Sequence, residues 1–416
     1  RFIRLTMHKL IVISSYPPKG KIHYSKTVGV GSYAKNTLIG IKNTRPSVDI
    51  LVLGDKHEGE INTYNEAGIK VKSVWKRGSF SLFPKILVAI LRNFSYKHVL
   101  VEFEVSIFGN PEKTAPLPFL NFILRMLGKN VTTVIHQAIT DMSEFEGHTN
   151  IKGLRSSLLQ LAVNLFYSLL IKSSNKVIVF EQALKDRLSD RAKIKVIPHG
   201  IQRMEAISKD QARKSLKIDS GKRVVLVFGY LAWYKGTDWI IDAFKNLQNQ
   251  KRFEDYLLII AGGANPNRMD RKFYRDYVKQ IAKNSRTENI IYTDFVDEKE
   301  ITTYYSASDI ILLPYRAFMS ASGPLSFAYS LNKPVFVSSS LEAIFQTQDI
   351  KQIIAGLSLS KDDLTFDLSE DSLKSILNKL KDETLISKVI KLSEEITKQR
   401  GFKQIGNEYL KIIFNK

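Results

Sequence analysis

The stretch "RVVLVFGYLAWYKGTDWIIDAF", Arg223–Phe244, decides the fold. An apolar run ends at Gly229, a short turn carries Lys235 and Gly236, and apolar residues then recur at helical spacing. Apolar runs without polar alternation belong to strands buried on both faces, as in parallel sheets covered by helices. The turn before the helix predicts an N-cap at Thr237 or Asp238. Outward from there the same grammar repeats in "YLLIIAGG", "IIYTDFV", "DIILLPY" and "KPVFVSS". The intervening stretches "TDWIIDAFKNLQ", "KFYRDYVKQIAK" and "EKEITTYYSAS" read as helices.

The first half does the same independently, through "KLIVISS", "VDILVLG", "IKVKSVW", "HVLVEFE", "VTTVIHQ", "NKVIVFE" and "IKVIP". Two doubly wound α/β domains follow, joined near "IPHGIQRMEAISKDQ". From Lys361 onward the pattern is helical, with no clear strand, through "LKSILNKLKDE", "ISKVIKLSEEITK" and "FKQIGNEYLKIIFNK". No internal repeat or low-complexity tract interrupts it.

A chain of 416 residues is long for one core, and 44% hydrophobic with 25% charged residues is a globular composition. The absence of cysteine removes disulfides, thiolate metal sites and cysteine nucleophiles, and fits a reducing compartment such as the cytoplasm. The net charge of +21 points to an anionic partner: nucleic acid, an anionic membrane surface or a phosphorylated substrate. Solvated lysine faces explain it equally well. No nucleic-acid module or basic cluster with interleaved aromatics is present, so no nucleic-acid partner is expected.

The best candidate span, Leu158–Ile171 ("LLQLAVNLFYSLLI"), falls short of the ~20 residues a membrane crossing needs and reads as a buried helix. Phe80–Lys97 mixes an apolar face with Lys85, Arg92 and Lys97, as an interfacial helix would, although a packed domain helix fits it nearly as well. The opening "RFIRLT" is too short for a signal peptide, and Met7 is a candidate natural start.

Three places carry chemistry. Gly29 and Gly31 stand before a helix, where backbone approaches a ligand closely and free N–H groups favour an anion. An ordinary flexible connection is the alternative. His136 closes "VTTVIHQ" at the strand end where ligands of α/β sheets collect, with a structural histidine as the alternative. Lys235, beside a helix start, suits a diphosphate, because point charge and backbone donors converge on the same oxygens. A plain surface lysine is the alternative there.

The ordered segments "VGVGSYAKNTL", "VEFEVSIFG", "VIHQ", "VIVFEQALKDRL", "KVIPHGI", "VFGYLAWYKGTDWIIDAF", "LLIIAGG", "IIYTDFVDEKEITTYYSASDIILLPY" and "GPLSFAYSLNKPVFVSS" resemble a glycosyltransferase of the GT-B fold, retaining family 4 type. The resemblance runs from about Lys9 to Ser340. It implies two Rossmann-like domains facing across a cleft, with a C-terminal helix crossing back to the first. Residues 1–198 with 399–416 would form the acceptor side, and 199–398 would bind a nucleotide-diphosphate sugar. No cofactor or metal is implied. The acceptor would be a carbohydrate or lipid-linked molecule, and the location cytoplasmic, with the inner face of the membrane as an alternative.

Residue by residue, the resemblance gives Gly29 and Gly31 to the donor phosphates, His136 to the transferred sugar and Lys235 to the diphosphate. Tyr230, after the strand glycine Gly229, stands where an arginine is usual. Phe295 and Val296 fall where backbone groups hold the base, and Glu104 faces the acceptor. Pro198-His199-Gly200 matches the interdomain turn.

Two glutamates eight positions apart are usual in the family, and Met319 and Phe327 occupy their places. In relatives the first approaches the donor sugar and the second binds ribose. What remains for the phosphates is a helix start: Ser322 or Gly323 as N-cap, Pro324 in the first turn, and N–H groups of Leu325 and Ser326 left free. Ser320 and Ser322 add hydroxyls. Leu325, Phe327, Ala328 and Leu331 read as core, and Glu342 as a surface residue. A non-catalytic GT-B protein that binds a nucleotide or supports a partner transferase is the alternative function.

Overall fold

A computed structural model describes residues 8–22, 29–138, 154–248, 250, 253–265, 269, 272–318 and 322–415. The chain divides into two compact units. One runs to Gly200 and resumes at Arg400, and the other comprises Ile201–Phe318 and Ser322–Gln399.

The first unit is built on an eight-stranded sheet of β1 (Lys9–Ile13), β2 (Asp49–Asp55), β3 (Thr63–Glu66), β4 (Ile69–Trp75), β5 (His98–Phe103), β6 (Asn130–Ile135), β7 (Lys176–Val179) and β8 (Ile194–Val196). Its order is β3-β4-β2-β1-β5-β6-β7-β8. All pairs are parallel except β3–β4. Leu10 to Ile13 are fully buried, as the apolar run requires of a central strand.

The helix Gly29–Thr44 packs on the C-terminal helix Phe402–Phe414 so closely that a Cβ on Gly40 would lie 2.0 Å from the Phe402 carbonyl oxygen. Tyr409 is fully buried in that contact. The C-terminal helix is therefore part of the first unit's core.

The second unit carries a six-stranded parallel sheet, β9 (Arg223–Phe228), β10 (Tyr256–Ala261), β11 (Ile290–Tyr292), β12 (Ile310–Leu313), β13 (Val335–Ser338) and β14 (Thr365–Phe366), ordered β11-β10-β9-β12-β13-β14. The strand order reverses between β9 and β12, and in the first sheet between β1 and β5. Ligands of open α/β sheets bind outside the strand ends at such reversals.

Two strands escape the sequence reading. β3 is a short polar edge strand turned back by Ala67-Gly68, both at positive φ. β14 lies in the tail where only helices were expected, and its two residues are too few to show a pattern. The helix Leu154–Ser173 corrects a third expectation. Leu158, Leu161, Leu165 and Leu169 are exposed, so the stretch is not a buried helix. It packs through one face only, with Leu170 and Ile171 in the core. No helix among the described residues is long and apolar enough to cross a membrane.

Candidate functional site

In the second unit, β9 is followed at once by Gly229 with φ +111°, a conformation open to glycine. A Cβ there would lie 2.9 Å from Lys235 Nζ and 3.1 Å from Pro324 Cγ. The lysine head, the strand-end glycine and the first turn of the Gly323–Ser330 helix thus meet at the β9–β12 reversal. Gly262, the residue after β10, is likewise closed to a side chain, because a Cβ there would fall 2.2 Å from the Gly229 carbonyl oxygen.

The Lys235 turn is pinned from β12. Arg316 donates from Nη1 to the Trp233 carbonyl and to Asp238 Oδ1, each at 2.7 Å, and from Nη2 to Asp238 Oδ2 at 2.8 Å. Burial works to raise the Asp238 carboxyl, but the Arg316 hydrogen bonds and charge outweigh it and hold the group below its ordinary range. Asp238 is therefore occupied by Arg316 and does not cap the helix. That helix begins at Thr237, and the Gly236 carbonyl accepts its first bond from Ile240 N–H. Arg316 escapes sequence reading because it lies two residues past the apolar run, in a loop without a pattern.

Ser322 is the N-cap of the Gly323–Ser330 helix, with Pro324 in the first turn. Its Oγ accepts from Leu325 N–H at 3.4 Å and lies 3.1 Å from the Tyr315 hydroxyl. Ser326 N–H donates to the Ser322 carbonyl at 3.0 Å. The Leu325 and Ser326 N–H groups are thus not free, because the cap and the first helical turn use them. Gly323, at the very start of the helix, is exposed. Ser320 and Met319 lie outside the described residues.

Phe327 is half-buried against Phe228 and Tyr305, ring centroids 6.0 Å from each. An aromatic contact stands at the position where the resemblance implies a carboxylate. Leu325, Ala328 and Leu331 are buried, and Glu342 pairs with Lys361 at the surface. Tyr230 stacks on Phe295, centroids 6.2 Å apart and planes at 30°, and both rings are partly exposed. Val296 beside them is buried.

In the first unit, Gly29 opens the helix and Gly31 lies within its first turn, not before it. Tyr33, one turn on, meets His136 edge to face at 5.2 Å. His136 Nε2 donates to Glu102 Oε2 at 2.6 Å, across the β5–β6 pair. Glu102 is fully buried, and its Oε1 has no hydrogen-bond partner among the described residues. That contact commits Nε2 to the carboxylate. The Glu102–His136 pairing is missed in sequence because it joins strands 34 positions apart. His199 lies near the same rings, and burial pushes its imidazole down to about 3. Glu104, past the end of β5, precedes a short helix and accepts from Ser106 Oγ at 2.8 Å. Among the described residues no group of three or more His, Asp or Glu is placed to hold a metal ion.

Among solved structures, the chain is similar to sucrose-phosphate synthase from Thermosynechococcus elongatus, with 14% identity, TM-score 0.71 and 97% of each chain covered. It is also similar to HepE from Anabaena in complex with UDP and glucose, with 16% identity, TM-score 0.64, and 97% and 98% covered. A third similar structure is WaaG, a glycosyltransferase involved in lipopolysaccharide biosynthesis, with 14% identity, TM-score 0.63, and 98% and 100% covered. No curated protein matches the sequence. Residues 208–365 match the family model described as glycosyl transferases group 1. This span runs from just before β9 into β14 and contains Lys235, Arg316 and the serine-capped helix. Over residues 208–365 the second unit is similar to the glycosyl transferases group 1, and the chain as a whole has the GT-B fold that these solved structures share.

Proposed function

We propose that the chain transfers a hexose, with retention, from a nucleotide-diphosphate sugar to a carbohydrate or lipid-linked acceptor in glycan or polysaccharide biosynthesis, on the cytoplasmic side. The observation that carries this reading is the convergence of Lys235 Nζ and the Gly323–Ser330 helix start over Gly229. A point charge beside a helix N-terminus is suited to negative charge building on a departing diphosphate. Without a protein nucleophile, the sugar–phosphate bond breaks as the acceptor hydroxyl attacks the same face. The leaving phosphate keeps the bonding electrons and the acceptor proton passes to it. No metal takes part.

The first unit contributes His136 to the transferred sugar and Glu104 to the acceptor. In the second, the outer faces of Tyr230 and Phe295 offer the base an aromatic platform, with backbone groups of Phe295 and Val296 to hold its edge. The HepE complexes with UDP and with UDP-glucose support a uridine donor as the first to test.

Calorimetry with nucleoside diphosphates and their hexose conjugates, with and without a chelator, tests the reading. Binding of one diphosphate, and transfer from its sugar that survives chelation, is expected. Phe327 in the ribose position favours a second reading, a nucleotide-binding chain without transferase activity. Diphosphate binding with no turnover on any sugar would select it, and no binding at all would overturn both.

A further inference from the structure

We infer that one helical face of the first unit docks on an anionic lipid bilayer. Right-handed crossovers from β4 to β5, β5 to β6 and β6 to β7 place Leu82–Leu91, Leu117–Met126 and Leu154–Ser173 on the same face of the first sheet. The middle helix packs against both others. Outward-facing positions of such helices are ordinarily polar. Here Phe119 is 66% exposed, Met126 74% and Leu161 65%. Phe122, Leu158, Leu165 and Leu169 extend the two stripes, and Val88, Leu91 and Phe94 continue them onto the first helix. A contiguous apolar surface of this kind marks an interaction site.

Charge selects the occupant. The three helices themselves carry Lys85, Arg125, Arg155 and Lys172 and no Asp or Glu. Lys85, Arg92, Arg125 and Lys172 belong to or cap these helices and are exposed. At the end of the middle helix, an open recess is lined by Phe122, Arg125, Met126, Lys129, Asn130 and Asn175, a place for a phosphate headgroup beside apolar side chains. Apolar side chains flanked only by cations match an anionic interface, where each Lys or Arg contributes about fivefold to binding. The surface deepens the reading of a lipid-linked acceptor and rests on it for biological purpose, while the binding itself does not require turnover.

The test is co-sedimentation of the full chain with vesicles of phosphatidylcholine alone, or containing one quarter phosphatidylglycerol, at low and high salt. Strong binding to the anionic vesicles, weakened by salt, is expected. Leu161→Asn with Leu165→Asn, and separately Phe119→Ser with Met126→Ser, should each lower it at least tenfold. Arg92→Gln with Lys172→Gln should lower it about twentyfold on anionic vesicles only. All four positions in the apolar pairs are exposed, and an unchanged melting temperature confirms folding. Equal binding to both lipids regardless of salt, or folded variants that bind like the parent, would overturn the proposal. So would a dimer in sedimentation velocity that the same substitutions dissociate, since a second copy would then cover this face. Nucleoside diphosphate binding on the same samples keeps the two readings apart, because its loss sinks the transferase and not the docking surface.

Discussion

His136 has one ring nitrogen committed to a buried carboxylate. Glu102 is fully buried, so removing its acceptor oxygen leaves the imidazole orientation to packing alone. Glu102→Gln, which can still accept from Nε2–H, is expected to retain more transfer than Glu102→Leu, which should lose about ten- to a hundredfold. The effect should fall on turnover and its pH profile, with nucleoside diphosphate binding unchanged, and a loss of binding instead would show that Glu102 only supports the fold. Lys235→Ala should cost about 2–3 kcal/mol of diphosphate affinity, the worth of a charged hydrogen bond, readable by calorimetry. These residues divide in legibility. Lys235 stood out because it precedes a helix in sequence, whereas Glu102 and Arg316 acquire their roles from partners that only the folded sheets supply. Local patterns reveal which residues lie at strand ends, and not what they touch.

At the scale of elements, a helix start proposed to serve a ligand as well has to satisfy two sets of demands. Ser322 spends its oxygen on Leu325 N–H, so Ser322→Ala should cost about 1 kcal/mol of stability by chemical denaturation. It should weaken diphosphate binding as well if the hydroxyl proton faces the phosphate. The other end of the same segment holds Lys333, whose Nζ donates to the Ser306 and Ser308 carbonyls at 3.0 and 3.1 Å. Burial drives its pKa down to about 8, with nearby Lys209 adding to the effect. A lysine lowered on folding binds fewer protons in the native state than in the unfolded one between about pH 8 and its ordinary value near 10.4. The stability of the parent relative to Lys333→Met should therefore rise with pH across that window, and a flat difference would contradict the assignment. The helices and strands themselves were mostly legible. Thr237–Gln248 matches its sequence reading at both ends, because one amphipathic period runs between two breaks. The failures share a cause: β3 and β14 are held by neighbouring strands and not by their own apolar pattern, and the exposed leucines of Leu154–Ser173 obey no soluble-helix rule.

Across the whole molecule, the chain leaves its first unit at Gly200 and re-enters it at Arg400, so that unit is complete only when the last helix is in place. The contact depends on two glycines. A Cβ on Gly406 would stand 2.5 Å from the Gly40 carbonyl carbon and the Ile41 nitrogen, both backbone atoms that cannot rotate away. Gly406→Ala should therefore push the Phe402–Phe414 helix off the Gly29–Thr44 helix, and with it Tyr409 off the Tyr33 hydroxyl 3.2 Å away. Overpacking of this kind costs about 1–3 kcal/mol. The gain in helix propensity from Gly to Ala, up to about 1 kcal/mol, works against it and is the smaller term. Because Tyr33 also touches His136, transfer should fall in the variant while diphosphate binding to the second unit holds. Calorimetry with and without the bound diphosphate separates the two units: the ligand should raise the melting of the second, and the substitution should lower that of the first by several degrees. A variant with parental melting and parental turnover would mean that the two helices can part without consequence, and that the C-terminal helix is not the element completing the first unit.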